Sequence, residues 1–301
     1  MKITRAIVLA VALSGSAASH ANDTAIGDDN GTITFKQLPH VSMDSEALFI
    51  SEALVTVDYV FTNNGPADVV TPVAFPMPPA YFGDSDHTEI ENFKVWADGR
   101  LVNAEQKWVI RRGEVDVSDQ VRRWGWTTDD IFRLMQGGGT PKGKKPLPSH
   151  WFDTNGEPLI TISKYHVWQQ TFPAGKPLTI RHSYVPSVTT GVPQSWSTLF
   201  EAYGKETCPD KALIAGIEKR DGEGGWEYNF LSYILTTANH WQGPIKDFKL
   251  TIRKRQPTDV FSLCFDGAFK KTDPLTFEFR QSDFRPTRDL KILFLRRRKP
   301  E

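Results

Sequence analysis

The sequence predicts an all-β protein of two β-sandwich-like domains, with a part-helical insertion in the first. Apolar and polar residues alternate through most of the chain, which is the period of β-strands. Segments rich in Gly, Pro and Asn separate the alternating stretches, and only two short stretches carry helical signals. A chain of 301 residues exceeds one typical domain length, which favours two domains.

Residues 1–21 have the pattern of a secretory signal peptide. Lys2 and Arg5 supply positive charge, residues 6–13 are apolar, and Ser19-His20-Ala21 offers small side chains before a cleavage point. The apolar run is too short to span a bilayer, and no later stretch is long enough. We therefore expect cleavage after Ala21 and a periplasmic or secreted protein that has no membrane span once the signal is removed.

The N-terminal domain is predicted over residues 22–198. Between residues 54 and 61 the apolar side chains fall on every second position, which predicts a strand with one core face. A second strand, Val69 to Phe75, stops at a run of prolines that cannot donate to a sheet. The Asp98-Gly99 pair after Phe93 to Ala97 is typical of a tight hairpin turn.

The next two strands are predicted to form a hairpin, from Ile160 to Phe172 and from Leu178 to Tyr184. Pairing Phe172 with Leu178 places His166 and His182 near each other on the core face. Two imidazoles are too few ligands for a zinc site, and no third ligand follows at a metal-binding spacing. We therefore expect buried core histidines and no metal. The segment 284–292 repeats the Phe, Pro-containing turn, Leu and Ile pattern of 172–180, which fits two related β-domains that are each closed by the same kind of hairpin and fits a chance similarity of two hairpins equally well.

The insertion is predicted at about residues 117–158, a segment rich in Gly, Pro and charge. Thr127 and Asp130 resemble a capping box that opens a helix over Ile131 to Gln136. The C-terminal β domain, residues 199–301, is predicted to contain one short helix, Lys211 to Arg220, opened by Asp210. Its strands are predicted at Glu227 to Leu235, Phe248 to Arg253, Val260 to Phe265, Leu275 to Phe279 and Leu290 to Leu295.

Charge and cysteine content limit the function classes. Lys plus Arg and Asp plus Glu both number 36, so no overall field favours nucleic acid, and we expect no nucleic-acid partner. The two cysteines, Cys208 and Cys264, are predicted to form a disulfide, as an isolated pair does in an oxidising compartment.

Three tryptophans are the candidate binding residues. Trp124, Trp126 and Trp151 lie in polar surroundings in or beside the insertion, outside any alternating strand. Indoles in polar loops often mark a contact surface, although the same residues could instead pin the insertion onto the sandwich. No nucleophile elbow, phosphate loop or metal spacing is present, so no catalytic residue and no cofactor is predicted.

Several segments resemble a bacterial family named domain of unknown function 4424. They are Ala47 to Ser51, Ala74 to Pro78, Tyr165 to Gly175, Trp241 to Phe248 and Asp283 to Leu290. The resemblance spans nearly all of the mature chain and implies an exported protein of β domains without an established activity. A fainter likeness, over about residues 54–102, is to the VIT domain of inter-α-trypsin-inhibitor and vault proteins, and it implies a β-sandwich.

The sequence thus favours a non-catalytic binding or assembly module of the cell envelope, with an envelope protein or a glycan as partner. The alternative is a carbohydrate-active hydrolase or other sugar-modifying enzyme. Its carboxylates would come from Asp84 to Glu91 or from Glu114 to Asp119, and two of them must face each other across a cleft.

Overall fold

The computed structural model describes residues 24–29, 32–77, 79–83, 90–113, 115–220 and 225–298, and the expected signal peptide lies outside these ranges. The strands are β1 (Thr24–Asp29), β2 (Thr32–Lys36), β3 (Leu38–Ser51), β4 (Val55–Asn63), β5 (Val69–Pro76), β6 (Glu91–Ala97), β7 (Arg100–Val102), β8 (Glu105–Arg112), β9 (Val115–Asp116), β10 (Thr161–Phe172), β11 (Pro177–Val185), β12 (Thr189–Thr190), β13 (Trp226–Tyr233), β14 (Trp241–Gln242), β15 (Ile245–Arg253), β16 (Val260–Leu263), β17 (Lys270–Lys271), β18 (Thr276–Phe284) and β19 (Leu290–Arg297).

The described helices are α1 (Ser118–Arg123), α2 (Thr128–Met135), α3 (Trp196–Thr207) and α4 (Lys211–Glu218), with 3₁₀ turns at Ser149–Trp151 and Thr236–His240. None of these is long and apolar enough to cross a membrane. The capping box of α2 forms as expected. The expectation of two helices in all, and of one in the C-terminal region, was too low. Ser195 caps α3 by accepting a hydrogen bond from the backbone N–H of Thr198, whereas α1 has no side-chain cap to reveal it.

The strands form three sheets, so the mostly β character is confirmed. A six-stranded sheet has the order β2-β1-β5-β10-β8-β9, and a four-stranded sheet has the order β12-β13-β19-β16. The largest sheet has the order β17-β18-β15-β3-β4-β11-β6-β7, and β14 pairs with β3 beside it. The expected hairpin turn joins β6 to β7, with φ of 45° at Asp98 and 74° at Gly99.

One apolar core joins all three sheets. Leu48 of the large sheet, Trp168 of the six-stranded sheet and Ile292 of the four-stranded sheet belong to the same buried cluster. In the large sheet β3 pairs in parallel with β15, so strands from both sides of the predicted boundary at 198 and 199 share one ladder. The division into two domains stays a prediction, while the core and the large sheet are continuous across it.

The predicted hairpin of β10 and β11 is wrong. β10 pairs with β5 and β8 in the six-stranded sheet, and β11 pairs with β4 and β6 in the large sheet. The short Pro-rich turn therefore carries the chain from one sheet to the facing one. The core face was nevertheless placed correctly, because Trp168, Phe172 and Leu178 all point into the shared core. Alternation fixes which side chains face inward, and it does not fix which strand is the neighbour.

The repeated segment at 284–292 behaves in the same way. β18 belongs to the large sheet and β19 to the four-stranded sheet, so this turn is also a crossing between sheets and not a hairpin. The similarity of the two sequences thus corresponds to a similar path of the chain.

Helices α3 and α4 cover the outer side of the four-stranded sheet. Leu199 of α3 and Ile217 of α4 pack against Leu293 and Leu295 of β19. Cys208, at the C-terminal end of α3, lies at disulfide-bonding distance from Cys264, which follows β16, and their Cα atoms are 4.8 Å apart. The pair that the sequence predicts therefore tethers this helical layer to its sheet.

Candidate binding groove

The insertion folds as a small helical layer with its own apolar cluster. It lies between β9 and β10 and packs α1 and α2 against one end of the six-stranded sheet. Its buried members are Ala80, Ile110, Val117, Val121, Trp126, Ile131, Leu134, Met135, Leu147, Trp151, Ile160 and Ile162. Such a cluster helps to hold in place a segment that has no long strands, so its aromatic residues have a structural role.

Two of the three candidate tryptophans are buried. Trp126 is 3% exposed and Trp151 is 4% exposed, which fits the alternative that these two residues pin the insertion onto the sandwich. Trp124 is half-buried, and its ring lies 5.5 Å from that of Trp151. Their sequence neighbours are polar, but in helices and turns successive side chains point in different directions, so a buried indole can lie beside exposed polar residues. The part that these tryptophans play in binding stays a prediction.

Noncovalent contacts fasten the loop that follows α2. The indole N–H of Trp126 donates to the carbonyl oxygen of Lys145 at 2.7 Å, and the Lys145 ammonium lies 5.1 Å from the centre of the Trp124 ring. Lys144 forms an ion pair with Asp130, whose side chain is 6% exposed. The hydrogen bond from Lys144, together with those from Thr127, holds the pKa of Asp130 well below its usual range.

A groove of about 370 Å³ runs between β8 and the insertion, and we call it the β8 groove. It is lined by Gln106, Lys107, Trp108, Val109 and Ile110 on one side and by Ser118, Arg122, Trp126, Thr127 and Thr128 on the other. Five consecutive residues of one strand mean that the strand's edge, and not only one of its faces, borders the groove. Trp126 is thus the predicted residue that the structure places at a concave surface.

Among the described residues, no strand pairs with β8 along part of this edge. The N–H of Ile110 donates to the Ser118 hydroxyl at 2.8 Å, and the C=O of Ile110 accepts from the N–H of Val117 at 2.8 Å. Ile110 therefore directs its backbone groups away from β10, and by alternation so do Trp108 and Gln106. β9 pairs with β8 only at Arg111 and Arg112, which leaves Gln106 and Trp108 beyond its reach.

The side chains of the groove are aromatic and cationic. The half-buried Trp108 meets Phe132 edge to face at 5.1 Å, and the Lys164 ammonium lies 4.9 Å from the Trp108 ring centre. Lys107 and Arg122 are its charged lining residues, and no carboxylate is among the residues that line it. Arg122 has an exposed partner, Asp119, on the same helix. Aromatic and cationic side chains therefore line the groove beside this edge of β8.

The two histidines meet across the sandwich and not across a hairpin. The ring of Phe93 stacks on His166 at 4.1 Å and lies 5.5 Å from His182. Burial lowers the pKa of His166 to about 4, and the charges of Lys164 and His182 act in the same direction. Among the residues that the structure describes, no group of three or more His, Cys, Asp or Glu is placed to hold a metal ion.

The carboxylates of the alternative enzyme hypothesis are scattered. Residues 84–89 and 114 lie outside the described ranges. Glu91 is exposed at the start of β6, Asp116 accepts a hydrogen bond from the backbone N–H of Ser118 at 2.8 Å, and Asp119 pairs with Arg122. These contacts are local, and none of them sets two carboxyl groups face to face across a cleft.

A second polar concavity of about 300 Å³ lies where the large and four-stranded sheets meet. Arg296 lies 3.3 Å from Glu52 and 3.3 Å from Asp259, whose side chains are only 5% and 2% exposed. Buried carboxylates that share one guanidinium are typical of a structural ion-pair cluster. The ion-pair cluster therefore helps to join the two sheets, and the concavity beside it indicates no ligand.

Comparison with known proteins gives a family and a fold. The sequence profile of the family described as domain of unknown function (DUF4424) matches residues 21–293. No curated protein matches the chain. A solved structure of a putative nutrient binding protein from Legionella pneumophila subsp. pneumophila str. Philadelphia 1 is similar, with a TM-score of 0.50 and 15% identity, over 92% of this chain and 71% of that one. An M1 zinc metallopeptidase from Deinococcus radiodurans has a TM-score of 0.30 and 10% identity, over 86% of this chain and 43% of the peptidase. The first similarity concerns the fold alone, and the second is too low to carry an argument.

Proposed function

Because this chain belongs to the family described as domain of unknown function (DUF4424), whose description assigns no chemistry, we propose a function from the chain's own geometry. It is a non-catalytic binding module of the cell envelope, and the β8 groove is its contact site. The observation that carries the proposal is the β8 groove itself, where an open strand edge lies beside an aromatic and cationic wall. Strand edges that remain open in a folded protein are places where other chains bind.

Export is part of the proposal. The pattern of residues 1–21 and the pairing of Cys208 with Cys264 both suit an oxidising compartment. The intact mass of the exported protein should correspond to a chain that begins at Asn22. A mature protein that retains Met1 would contradict the proposed location.

The alternative, a carbohydrate-active hydrolase, has less support. Such an enzyme needs two carboxyl groups held roughly 5–10 Å apart across a cleft. The described carboxylates near the insertion are engaged in local contacts, and the β8 groove is lined by none. The binding module therefore remains the function that the geometry favours.

Site-specific photocrosslinking in the native envelope tests the proposal. A photoreactive amino acid at Thr128, in the β8 groove, should capture a partner. The same amino acid at Thr251, on the outer face of the large sheet, is the matched control because both threonines are half-exposed. If a partner is captured from Thr251 and not from Thr128, the contact site does not lie in the β8 groove and the proposal is contradicted. Equal labelling from both positions would indicate nonspecific proximity and would also contradict the proposal.

A further inference from the structure

A concavity on the outer face of the large sheet, which is a different sheet from that of the β8 groove, has a volume of about 450 Å³. We call it the outer-face pocket, and its lining includes Ala47, Asp58, Trp96, Thr179 and Arg181. Trp96 of β6 pairs with Arg181 of β11. Arg181 pairs in turn with Asp58 of β4, and Asp58 with Ala47 of β3. Neighbouring strands lie about 4.8 Å apart, so these four residues form a row that extends over about 14 Å.

Trp96 is the aromatic residue of this row, and its side chain is half-buried. Among the residues that the structure describes, no aromatic ring packs against its indole and no hydrogen-bond acceptor meets its N–H. The buried Trp126, by contrast, donates its N–H to Lys145. Apolar surface continues beyond the pocket, since Leu101 pairs with Trp96 across the hairpin and is 66% exposed. Trp96 thus offers a ligand both an apolar ring and a hydrogen-bond donor.

Arg181 and Asp58 offer donors and acceptors beside this indole. Nη1 of Arg181 lies 3.2 Å from Oδ1 of Asp58, and the two side chains are 54% and 48% exposed. A guanidinium carries several N–H groups and a carboxylate has further lone pairs, so this contact uses only part of their hydrogen-bonding capacity. The two charges are opposite, and no other charged residue lines the pocket. The lining therefore has polar groups of both kinds and no net charge.

Three features limit what the pocket can bind. β11 is bonded to β4 along one edge and to β6 along the other, so a peptide cannot add here as a strand. An anionic group would lie close to Asp58 as well as to Arg181 and would gain little from the pair. Asp58 is also the only carboxylate of the lining, whereas glycoside hydrolysis needs two. The pocket therefore suits an uncharged ligand that side chains recognise and do not cleave.

We propose that the outer-face pocket binds a neutral oligosaccharide. The apolar face of one sugar ring lies on the Trp96 indole, and the hydroxyl groups of the next ring bond to Arg181 and Asp58. A hydroxyl group both donates and accepts hydrogen bonds, which matches the mixed polar groups of this pair. The row of about 14 Å is long enough for about two or three sugar rings. This site is separate from the β8 groove, so the inference goes beyond the proposed function.

An array of neutral and acidic oligosaccharides, probed with the full mature chain, is the first test. Neutral oligosaccharides should be retained, and oligosaccharides rich in uronic acid should not. The NMR signal of the Trp96 indole N–H, assigned by its loss in Trp96→Phe, should shift when a retained neutral oligosaccharide is added. The proposal is overturned if no neutral oligosaccharide is retained, or if binding leaves the Trp96 signal unchanged.

Two neighbouring apolar residues provide matched variants. Trp96 and Leu101 pair on the same face of the sheet, but Leu101 does not line the pocket. We expect Trp96→Ala to bind a retained oligosaccharide roughly tenfold more weakly, because it loses the stacked ring, and Leu101→Ala to stay within about twofold of the wild type. Equal affinity of the two variants would overturn the stacking. The thermal midpoint shows whether both are folded, and the signal shift in the wild-type chain decides the matter if Trp96→Ala is not.

Asp58→Asn tests the balance of charge in the pocket. The variant keeps a carbonyl acceptor but leaves the charge of Arg181 unopposed, so oligosaccharides rich in uronic acid should gain severalfold in affinity relative to neutral ones. An unchanged preference would refute the role assigned to the pair.

The outcomes distinguish this inference from the proposed function. Trp96→Ala should leave photocrosslinking from Thr128 unchanged, and Thr251 remains the control there because it does not line the outer-face pocket. Failure to capture a partner from Thr128 while neutral oligosaccharides are retained would refute the proposed function alone. Loss of protein capture in Trp96→Ala but not in Leu101→Ala would instead identify a protein as the occupant of the pocket and overturn this inference.

Discussion

Two helical layers pack on sheets in this chain, and they are fastened differently. Helices α3 and α4 lie on the four-stranded sheet, where Cys208 and Cys264 tether α3 to the end of β16. Helices α1 and α2 lie on the six-stranded sheet, where an ion pair, an indole hydrogen bond and a cation–π contact hold the following loop. The first layer is held by a covalent bond, and the second by contacts that can open and close.

The strand edges beside the two layers differ in the same way. The four-stranded sheet ends in β12 and β16, which are only two and four residues long. Short edge strands offer little backbone to another chain. In the six-stranded sheet β9 is also two residues long, but its pairing stops before Gln106 and Trp108, and no other described strand pairs with the eight-residue β8 along that edge. The layer of α1 and α2, which we call the reversible layer because noncovalent contacts hold it, therefore borders this edge. A binding site there would be free to adjust to its partner.

The largest expected effect on stability comes from removing the disulfide between Cys208 and Cys264. The double variant Cys208→Ser with Cys264→Ser reopens a loop with a sequence separation of 56. The chain-entropy model gives up to about 4 kcal/mol of lost stability for such a loop. The urea midpoint should fall, and hydrogen exchange should increase in α3 and β16 first. If α1 and α2 lose protection to the same extent, the two layers are not independent and the comparison fails.

The next effect concerns Asp130, which holds the reversible layer. Its buried carboxylate accepts hydrogen bonds from the N–H and hydroxyl of Thr127 at 2.8 and 2.6 Å and pairs with Lys144. Asp130→Asn breaks the ion pair and weakens the cap, which should cost about 3 kcal/mol. Trypsin should then cut faster at Lys142 and at the released Lys144. Asp119→Asn is the control, because its ion pair with Arg122 is exposed and should be worth less than about 1 kcal/mol.

Lowering the pH should destabilise the six-stranded sheet before it destabilises the four-stranded sheet. The folded pKa of His166, about 4, lies below its ordinary value of 6.5, so the unfolded chain binds a proton more readily between these two pH values. Stability therefore increases as pH increases from about 4 to 6.5, and up to about 3 kcal/mol is lost on going the other way. Hydrogen exchange of β10 and of β19, compared at pH 5 and 7, measures the difference.

A variant without the imidazole checks the cause of this pH dependence. His166→Phe keeps an aromatic ring against Phe93 and should flatten the dependence of stability on pH. His150→Gln, which removes an exposed imidazole, is the substitution control. If His166→Phe unfolds over the same pH range as the wild type, another group is responsible.

The sequence predicted core faces and local turns better than it predicted neighbours. In β4, Val55, Val57, Tyr59 and Phe61 are buried as their alternation requires, because that pattern depends only on which face meets water. The turn after Phe172 was misread, because a short Pro-rich turn looks the same whether the chain folds back or crosses to the facing sheet. The open edge of β8 could not be predicted, since it depends on where β9 stops pairing and not on any residue pattern.

The smallest expected effect on stability, and the sharpest test of the reversible layer, comes from Trp124. Its ring is half-buried and contacts Trp151 and the Lys145 ammonium, so Trp124→Ala should lower stability by only about 1 kcal/mol. The buried Trp126 is unsuitable for the same test, because truncation of a core tryptophan costs roughly 3–5 kcal/mol and would disrupt the insertion itself. If Trp124 contributes to the contact surface, capture from Thr128 in Trp124→Ala should decrease while the thermal midpoint stays within a few degrees of the wild type. If capture is unchanged, the contact is confined to the β8 groove and Trp124 takes no part in it. A large decrease in midpoint would show that Trp124, like its two neighbours, serves the fold.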